Sequence, residues 1–166
     1  MSTLKKPLLT GFRGFTLIEL MVAIAIIGIL ATITMPSLII SRQRSEVAEA
    51  MRMAEPVRDD VTAYYSYHIS FPSDNTEAGV PEPELLIGNR ITRMEIEDGA
   101  IHITLGNKIS KALRGKILSL RPAIVTGSPE SPISWLCGAD TAVTGMEAVG
   151  KNKTDLDQSV LPATCD

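Results

Sequence analysis

Residues 15–35, from Phe15 to Met35, read FTLIELMVAIAIIGILATITM, and this stretch decides how the rest of the chain is arranged. Its 21 residues carry one charge, Glu19. At 1.5 Å per residue, a helix of that length is about 31 Å long, enough to cross the hydrocarbon of a bilayer. Ahead of it stand Lys5, Lys6 and Arg13 and no acid. That positive flank keeps the beginning of the chain cytoplasmic and sends the residues after the apolar run across the membrane. A secretory signal has a shorter apolar region with its small-residue cleavage site behind it. Here the small residue, Gly14, lies in front, so a cut there leaves the apolar helix on the mature protein.

Glu19 is the informative residue in the run. A carboxylate inside an apolar segment costs about 2.5–3.5 kcal/mol on insertion scales. Its plain reading is an acid near the interface, since it lies only a few positions into the run. Its sharper reading starts from the cut after Gly14, which creates a positive α-amino group on Phe15. Apolar helices packed side by side need a counter-charge for that amine.

Outside this stretch the composition is ordinary. Of the 166 residues 45% are hydrophobic, and the excess sits between Phe15 and Ile40. The net charge is −3, and removing the first fourteen residues leaves 13 bases against 19 acids, a net of −6. A general nucleic-acid binder shows the opposite balance. Cys137 and Cys165 stand far apart and in no CxxC pair. With only His68 and His102 to join them, both remote, they do not make a structural zinc site. In an exported chain they read as one disulfide, with two free buried thiols as the plainer alternative.

Beyond Pro36, apolar positions recur at Ile40, Val47, Met51, Ala54, Val57, Val61, Tyr64, Tyr65 and His68, mostly three or four apart, with charges between them. This spacing predicts a surface helix with one buried stripe, continuous with the apolar run from Phe15 to about Tyr67 and bent at Pro56. Phe71 to Arg90 reads as a surface loop. Arg93 to Leu105 has Asp98-Gly99 between two alternating halves, a hairpin signal. A third run, Gly115 to Val125, ends near Pro122, and a fourth, Ile133 to Cys137, holds the only tryptophan. After Cys137 the chain is polar and turn-rich. The fold class is α+β: a long N-terminal helix, membrane-spanning in its first half, packed by an antiparallel sheet of about four strands that buries the stripe.

Gly14-Phe15-Thr16-Leu17-Ile18-Glu19, with the basic leader before it and the apolar run after it, resembles the prepilin peptidase recognition sequence of type IV pilins. The resemblance implies a cleaved leader at 1–14, an assembly and membrane helix at 15–36, and an exported pilin domain at 37–166. It implies a cut after Gly14, N-methylation of Phe15 and a role for Glu19 in assembly. Gly28 and Pro36 match the positions between which members of the family lose helix inside the filament. Cys137 and Cys165 resemble the bridge that bounds the C-terminal loop of type IVa pilins, and Leu161-Pro162-Ala163-Thr164-Cys165 resembles their chain end.

The implied function is that of a structural subunit of a type IV pilus serving adhesion, surface motility and DNA uptake. The alternatives are a minor pilin or a type II secretion pseudopilin, and, from another class, a periplasmic binding domain on an uncleaved anchor. The implied partners are copies of itself, the peptidase and methyltransferase, the membrane, and an assembly machinery with a separate ATPase. Contact with DNA or a host surface stays open. The implied locations are the inner membrane and then the extracellular filament.

An enzyme would need a constellation that the sequence lacks: no GxxxxGK(S/T), HExxH, GxSxG or GxGxxG is present. No cofactor or metal is expected. Asp59-Asp60 reads as a surface pair, and His102 as a strand residue. Asn152-Lys153-Thr154 is a glycosylation sequon that chance supplies often, and Lys151 and Lys153 beside it read as a solvated loop.

Overall fold

The computed structural model describes residues 14–165, of which 33–36 are described by backbone only. Of the leader expected at 1–14, residues 1–13 lie outside the described residues. The chain divides into two units, Met1–Leu38 and Ile39–Asp166. Helix α1 runs Leu17–Met53 and α2 runs Glu55–His68. Five strands come after them: β1 Ile91–Glu97, β2 Ala100–Leu105, β3 Ile117–Val125, β4 Ser134–Cys137 and β5 Met146–Ala148.

The break between the helices is Pro56's. Its nitrogen cannot donate back into the preceding turn. That turn tightens instead, with Ala54 N donating to Met51 O at 3.0 Å, and α2 opens with Pro56 in its first positions. The stripe expected on this face is present as Val47, Ala54, Val57, Val61 and Tyr65, with Ala50 added. Tyr64 and His68 are corrections to it. They lie outside the core and stack on each other, ring centroids 4.0 Å apart, because the buried arc is narrower than an unbroken three-or-four spacing allows.

The sheet is antiparallel in the order β1-β2-β3-β4, with β5 also paired to β3. Asp98 and Gly99 both have positive φ, 49° and 81°, and join Glu97 to Ala100 directly. Two left-handed residues in a two-residue loop match the right-handed twist of the strands. One face of the sheet carries Ile101, Ile103, Leu105, Leu118 and Leu120 into the same core as the helical stripe.

Strand β3 does not stop at Pro122 but continues to Val125. Ala123 pairs with Ser134 of β4 and with Ala148 of β5, so β5 takes up the edge of β3 that β2 leaves after Leu120. Pro122 falls in the gap between β2 and β5. Its carbonyl accepts from Val149 N at 2.8 Å, and its missing donor would have pointed toward that same edge, where no ladder partner is required. Strand β5 is the element the sequence did not reveal.

The second face of the sheet is covered in part by the chain after β5. Gly150 crosses Ala100 so closely that a Cβ would meet the Ala100 Cβ at 2.6 Å, and its φ is +79°. Lys153 N then donates to Ser119 Oγ at 2.9 Å, and Asp155 Oδ1 accepts from Ile117 N at 2.6 Å. Cys137 and Cys165 are bonded, with Cα atoms 4.8 Å apart, and both sulfurs rest against Met51 Sδ at 3.9 and 3.5 Å. Closing a loop of this length contributes about 3–4 kcal/mol in the chain-entropy account.

Three polar side chains hold the unit together from inside. Glu46, 3% exposed, accepts from Ser110 N at 2.9 Å and Arg42 Nε at 3.2 Å, with Arg90 at 3.7 Å. Burial pushes its carboxyl up, but the Ser110 bonds and the two guanidiniums outweigh this and hold it below the usual range. Asn75 donates to Pro81 O and Met94 O and accepts from Ile96 N at 2.7 Å, which ties the 71–90 loop to β1. His102 meets Ser119 Oγ through Nδ1 at 2.9 Å, while its Nε2 is buried without a hydrogen bond.

Replacing Asn75 by alanine strands the Ile96 donor and two carbonyls. The expected loss, from thermal unfolding of the detergent-solubilised chain, is about 2–4 kcal/mol. His102 gives a pH signature. Burial and the nearby Lys153 hold its pKa below the ordinary value, against Glu97 and Glu95. The unfolded chain therefore binds the proton first, and stability falls as pH drops below about 6.5 toward the folded pKa. Melting curves of His102→Gln should lose that slope and keep the rest of the acid profile.

Candidate assembly site

Of the residues singled out at the start of the chain, Glu19 lies on the first turn of α1, and Gly14 and Phe15 come just before the helix. Thr16 precedes the first helical residue, and its N–H and Oγ1 donate to Glu19 Oε2 at 2.9 and 2.8 Å. Glu19 N donates in return to Thr16 Oγ1 at 3.3 Å. This reciprocal pair is a capping box, which satisfies helix-start donors that otherwise have no partner. Sequence reasoning missed it, although its signal is plain: threonine, then glutamate three positions later, ahead of an apolar run. Both donors fall on Oε2. Among the described residues, nothing donates to Oε1.

Around this carboxylate the surface is apolar. Phe15, Ile18, Val22, Ala23 and Ile26 share a shallow groove with Glu19, and Gly14, Phe15, Thr16 and Glu19 line a second recess. The large apolar side chains from Phe15 to Leu30 are 53–84% exposed. A contiguous surface of this kind, far larger than the patches soluble proteins leave open, requires lipid or protein to cover it. By length and composition no single helix stretch passes as a membrane span. Leu17–Thr32 and Ser37–Met53 pass together, among the described residues.

The two glycines of the segment are not demanded by the fold. A Cβ at Gly14 or at Gly28 would meet nothing within 4 Å. Gly28 lies inside α1, where glycine costs about 1 kcal/mol relative to alanine. Pro36 also falls within α1, and its side chain lies outside the described residues. Gly14, Phe15 and Glu19 are thus brought together. Cys137 and Cys165 are joined to each other in the Ile39–Asp166 unit.

The remaining candidates have structural roles. Asn152 of the sequon donates to Gly138 O at 2.7 Å and accepts from Thr154 N at 3.0 Å, and Thr154 Oγ1 accepts from Ser119 N. Asp59 and Asp60 are exposed. Among the described residues, no group of three histidines, cysteines or carboxylates is placed to hold a metal.

Residues 43–166 match the Pilin family, described as bacterial filament, and residues 10–35 match the prokaryotic N-terminal methylation motif. The chain is 38% identical to a type IV major pilin protein, PilE1, of Neisseria gonorrhoeae over 159 residues, 92% of this chain and 86% of that protein. It is 36% identical to a fimbrial protein of Neisseria meningitidis serogroup A, covering 92% of this chain and 93% of that protein. A fimbrial protein of Pseudomonas aeruginosa is 27% identical, over 92% and 96% of the two chains. A family match over 43–166 and relatives this similar over nine-tenths of the chain show that this chain belongs to the pilin family of bacterial filament proteins.

Proposed function

We propose that the chain is the major structural subunit of a type IV pilus and performs no catalysis. The observation that carries this reading is the apolar surface of residues 15–30, exposed along its length and bearing a single carboxylate at its start. In the precursor, residues 1–14 are a cytoplasmic leader, 15–36 lie in the inner membrane and 37–166 face outward. The peptidase cuts after Gly14 and the new N-terminus, Phe15, is methylated. Support for the cut comes from Gly14 itself, whose lack of a side chain nothing among the described residues requires. An enzyme that must fit the chain into a narrow site would require it.

Membrane-held subunits are then drawn into a filament by a machinery with its own ATPase, and neighbouring helices replace lipid around the apolar surface. The filament serves adhesion, surface motility and DNA uptake. A minor pilin or a pseudopilin would share the first forty residues. Full-length relatives named as major pilins favour the major role, and abundance of the chain in sheared surface filaments tests it.

Glu19 has two tasks in this scheme, capping its own helix through Oε2 and pairing with the Phe15 amine of a neighbour. Glutamine can cap but carries no charge. Both Glu19→Gln and Glu19→Val should insert, and be trimmed to the 152-residue chain starting at methylated Phe15, as intact mass reads it. Both should give filament yields below about a tenth of wild type, because an unpaired buried charge costs roughly 3–5 kcal/mol. Wild-type yield from Glu19→Gln would leave only the capping role.

The stretch from Gly28 to Pro36 is the proposed point of conversion from helix to extended chain on assembly. In lipid each backbone group must be satisfied within the segment, which favours helix. Gly28, the β-branched Thr32, Ile33 and Thr34, and Pro36 make this its weakest part. A filament map should show the helix interrupted there, and Gly28→Ala with Pro36→Ala should restore it and stiffen the filament. An unbroken wild-type helix through these residues would end the idea.

A further inference from the structure

We infer that the Ile39–Asp166 unit carries, at the end where the chain enters it, a docking surface for anionic phospholipid headgroups. It is built from Arg42 and Arg44 of α1 and from Lys108, Lys111, Arg114 and Lys116 of the β2–β3 connection. The inference rests on the reading of residues 15–36 as membrane-embedded. The surface itself lies wholly within the folded unit.

Its parts are drawn together by contacts already in the fold. Glu46 bridges Arg42 and the Ser110 amide, which fastens the β2–β3 connection beside the first turns of the unit. Gln43 shares one recess with Ala112, Leu113 and Lys116, and Arg44 Nε donates to Ser159 O at 2.7 Å. From Gly99 to Pro129 the chain contains no aspartate or glutamate.

Among the described residues, Glu46, Asp155 and Asp157 contact these elements, and each is committed inside the unit. Glu46 is buried with its partners. Asp155 receives Ile117 N and pairs with Lys116 at 3.4 Å. Asp157 receives Ser159 N at 2.8 Å. Lys108, Lys111 and Arg114 are exposed, and among the described residues none of them is in an ion pair. Arg42 and Lys116 answer Glu46 and Asp155, and Asp157 holds the Ser159 amide, so cations remain in surplus on this surface.

Placement identifies the occupant. Arg42 comes four residues after Leu38, where the apolar unit ends, a helical rise of about 6 Å. Cations so close behind a membrane segment, on its exported side, work against its orientation, so they need a compensating partner. An anionic headgroup layer is the partner within reach. Each Lys or Arg held near such a surface raises binding about fivefold, over a range of about 10 Å at 0.1 M salt. A subunit waiting for assembly would thereby have its folded unit held against the bilayer, and would release that contact on entering the filament.

The test uses the full-length chain in vesicles of phosphatidylcholine, with or without phosphatidylglycerol at about 30%, a fraction that gives a strongly negative surface. A membrane-impermeant amine reagent is applied, and labelling of Lys108 and Lys111 is read by peptide mass spectrometry against the exposed Lys151. The expected result is labelling about fivefold lower on anionic vesicles, restored at about 0.5 M salt, where the screening length is a few ångströms. The variant Lys111→Glu with Arg114→Glu should lose the protection of Lys108. Equal labelling on both vesicles, with the protein still floating with them, overturns the proposal. So does protection on neutral vesicles that grows with protein density, because a second copy would then be the occupant. Protein that fails to float with neutral vesicles contradicts the membrane reading instead.

Discussion

Hydrocarbon side chains on a helix must leave water, and this chain meets that requirement in two different ways along its helical part. From Val47 to Tyr65 the stripe is buried against Ile101, Ile103, Leu118 and Leu120 of its own sheet. From Phe15 to Leu30, nothing among the described residues covers it. The first solution makes a domain. The second makes a subunit, because the missing cover must come from lipid or from other copies. Glu19 belongs to this second solution. A carboxylate is tolerable at the head of such a helix when it caps its own backbone, and under the proposed assembly it also meets the amine of another chain.

The folded unit is small, and much of its definition comes from buried polar groups rather than from apolar volume alone. Asn75, Glu46 and the His102–Ser119 pair each join elements remote in sequence, and all are placed to satisfy backbone donors or one another. A buried polar group is neutral to stability when satisfied and costly when a partner is lost, so these groups fix register more than they add strength. The C-terminal segment extends the arrangement. It covers the second face of the sheet with few apolar anchors, so the Cys137–Cys165 bond and the Gly150 crossing keep it in place.

What the sequence disclosed was whatever depends on near neighbours. The Asp98-Gly99 hairpin, the Pro56 break, the helical stripe and the Gly14-to-Glu19 string are each decided within a few residues, and each is present. The Cys137–Cys165 bond was readable because two cysteines in a chain read as exported leave few choices. Strand β5 was not, since three residues with no alternation become a strand only by meeting the edge of β3. The extension of β3 past Pro122 depends on the same meeting. Tyr64 and His68 do not join the core that their spacing predicts, because spacing alone cannot set the width of a buried arc. The Thr16–Glu19 capping box is local too, and was legible in principle, but the charge of Glu19 is the louder signal and points away from its own helix.

The carboxylate heading the exposed apolar helix is, on this reading, neutralised by the amine of another copy, and the whole route from membrane subunit to filament turns on that pair. Solid-state dipolar-recoupling NMR tests it on filaments assembled from two pools of subunit, one carrying 15N at Phe15 and the other 13C at the Glu19 carboxyl. Only contacts between chains then give a signal. A pair between copies requires clear dephasing, with a nitrogen-to-oxygen approach of about 2.8 Å, the length of a charge-assisted hydrogen bond. Absence of dephasing in mixed filaments, with dephasing in filaments where both labels share one chain, would confine the pair to a single subunit and contradict it.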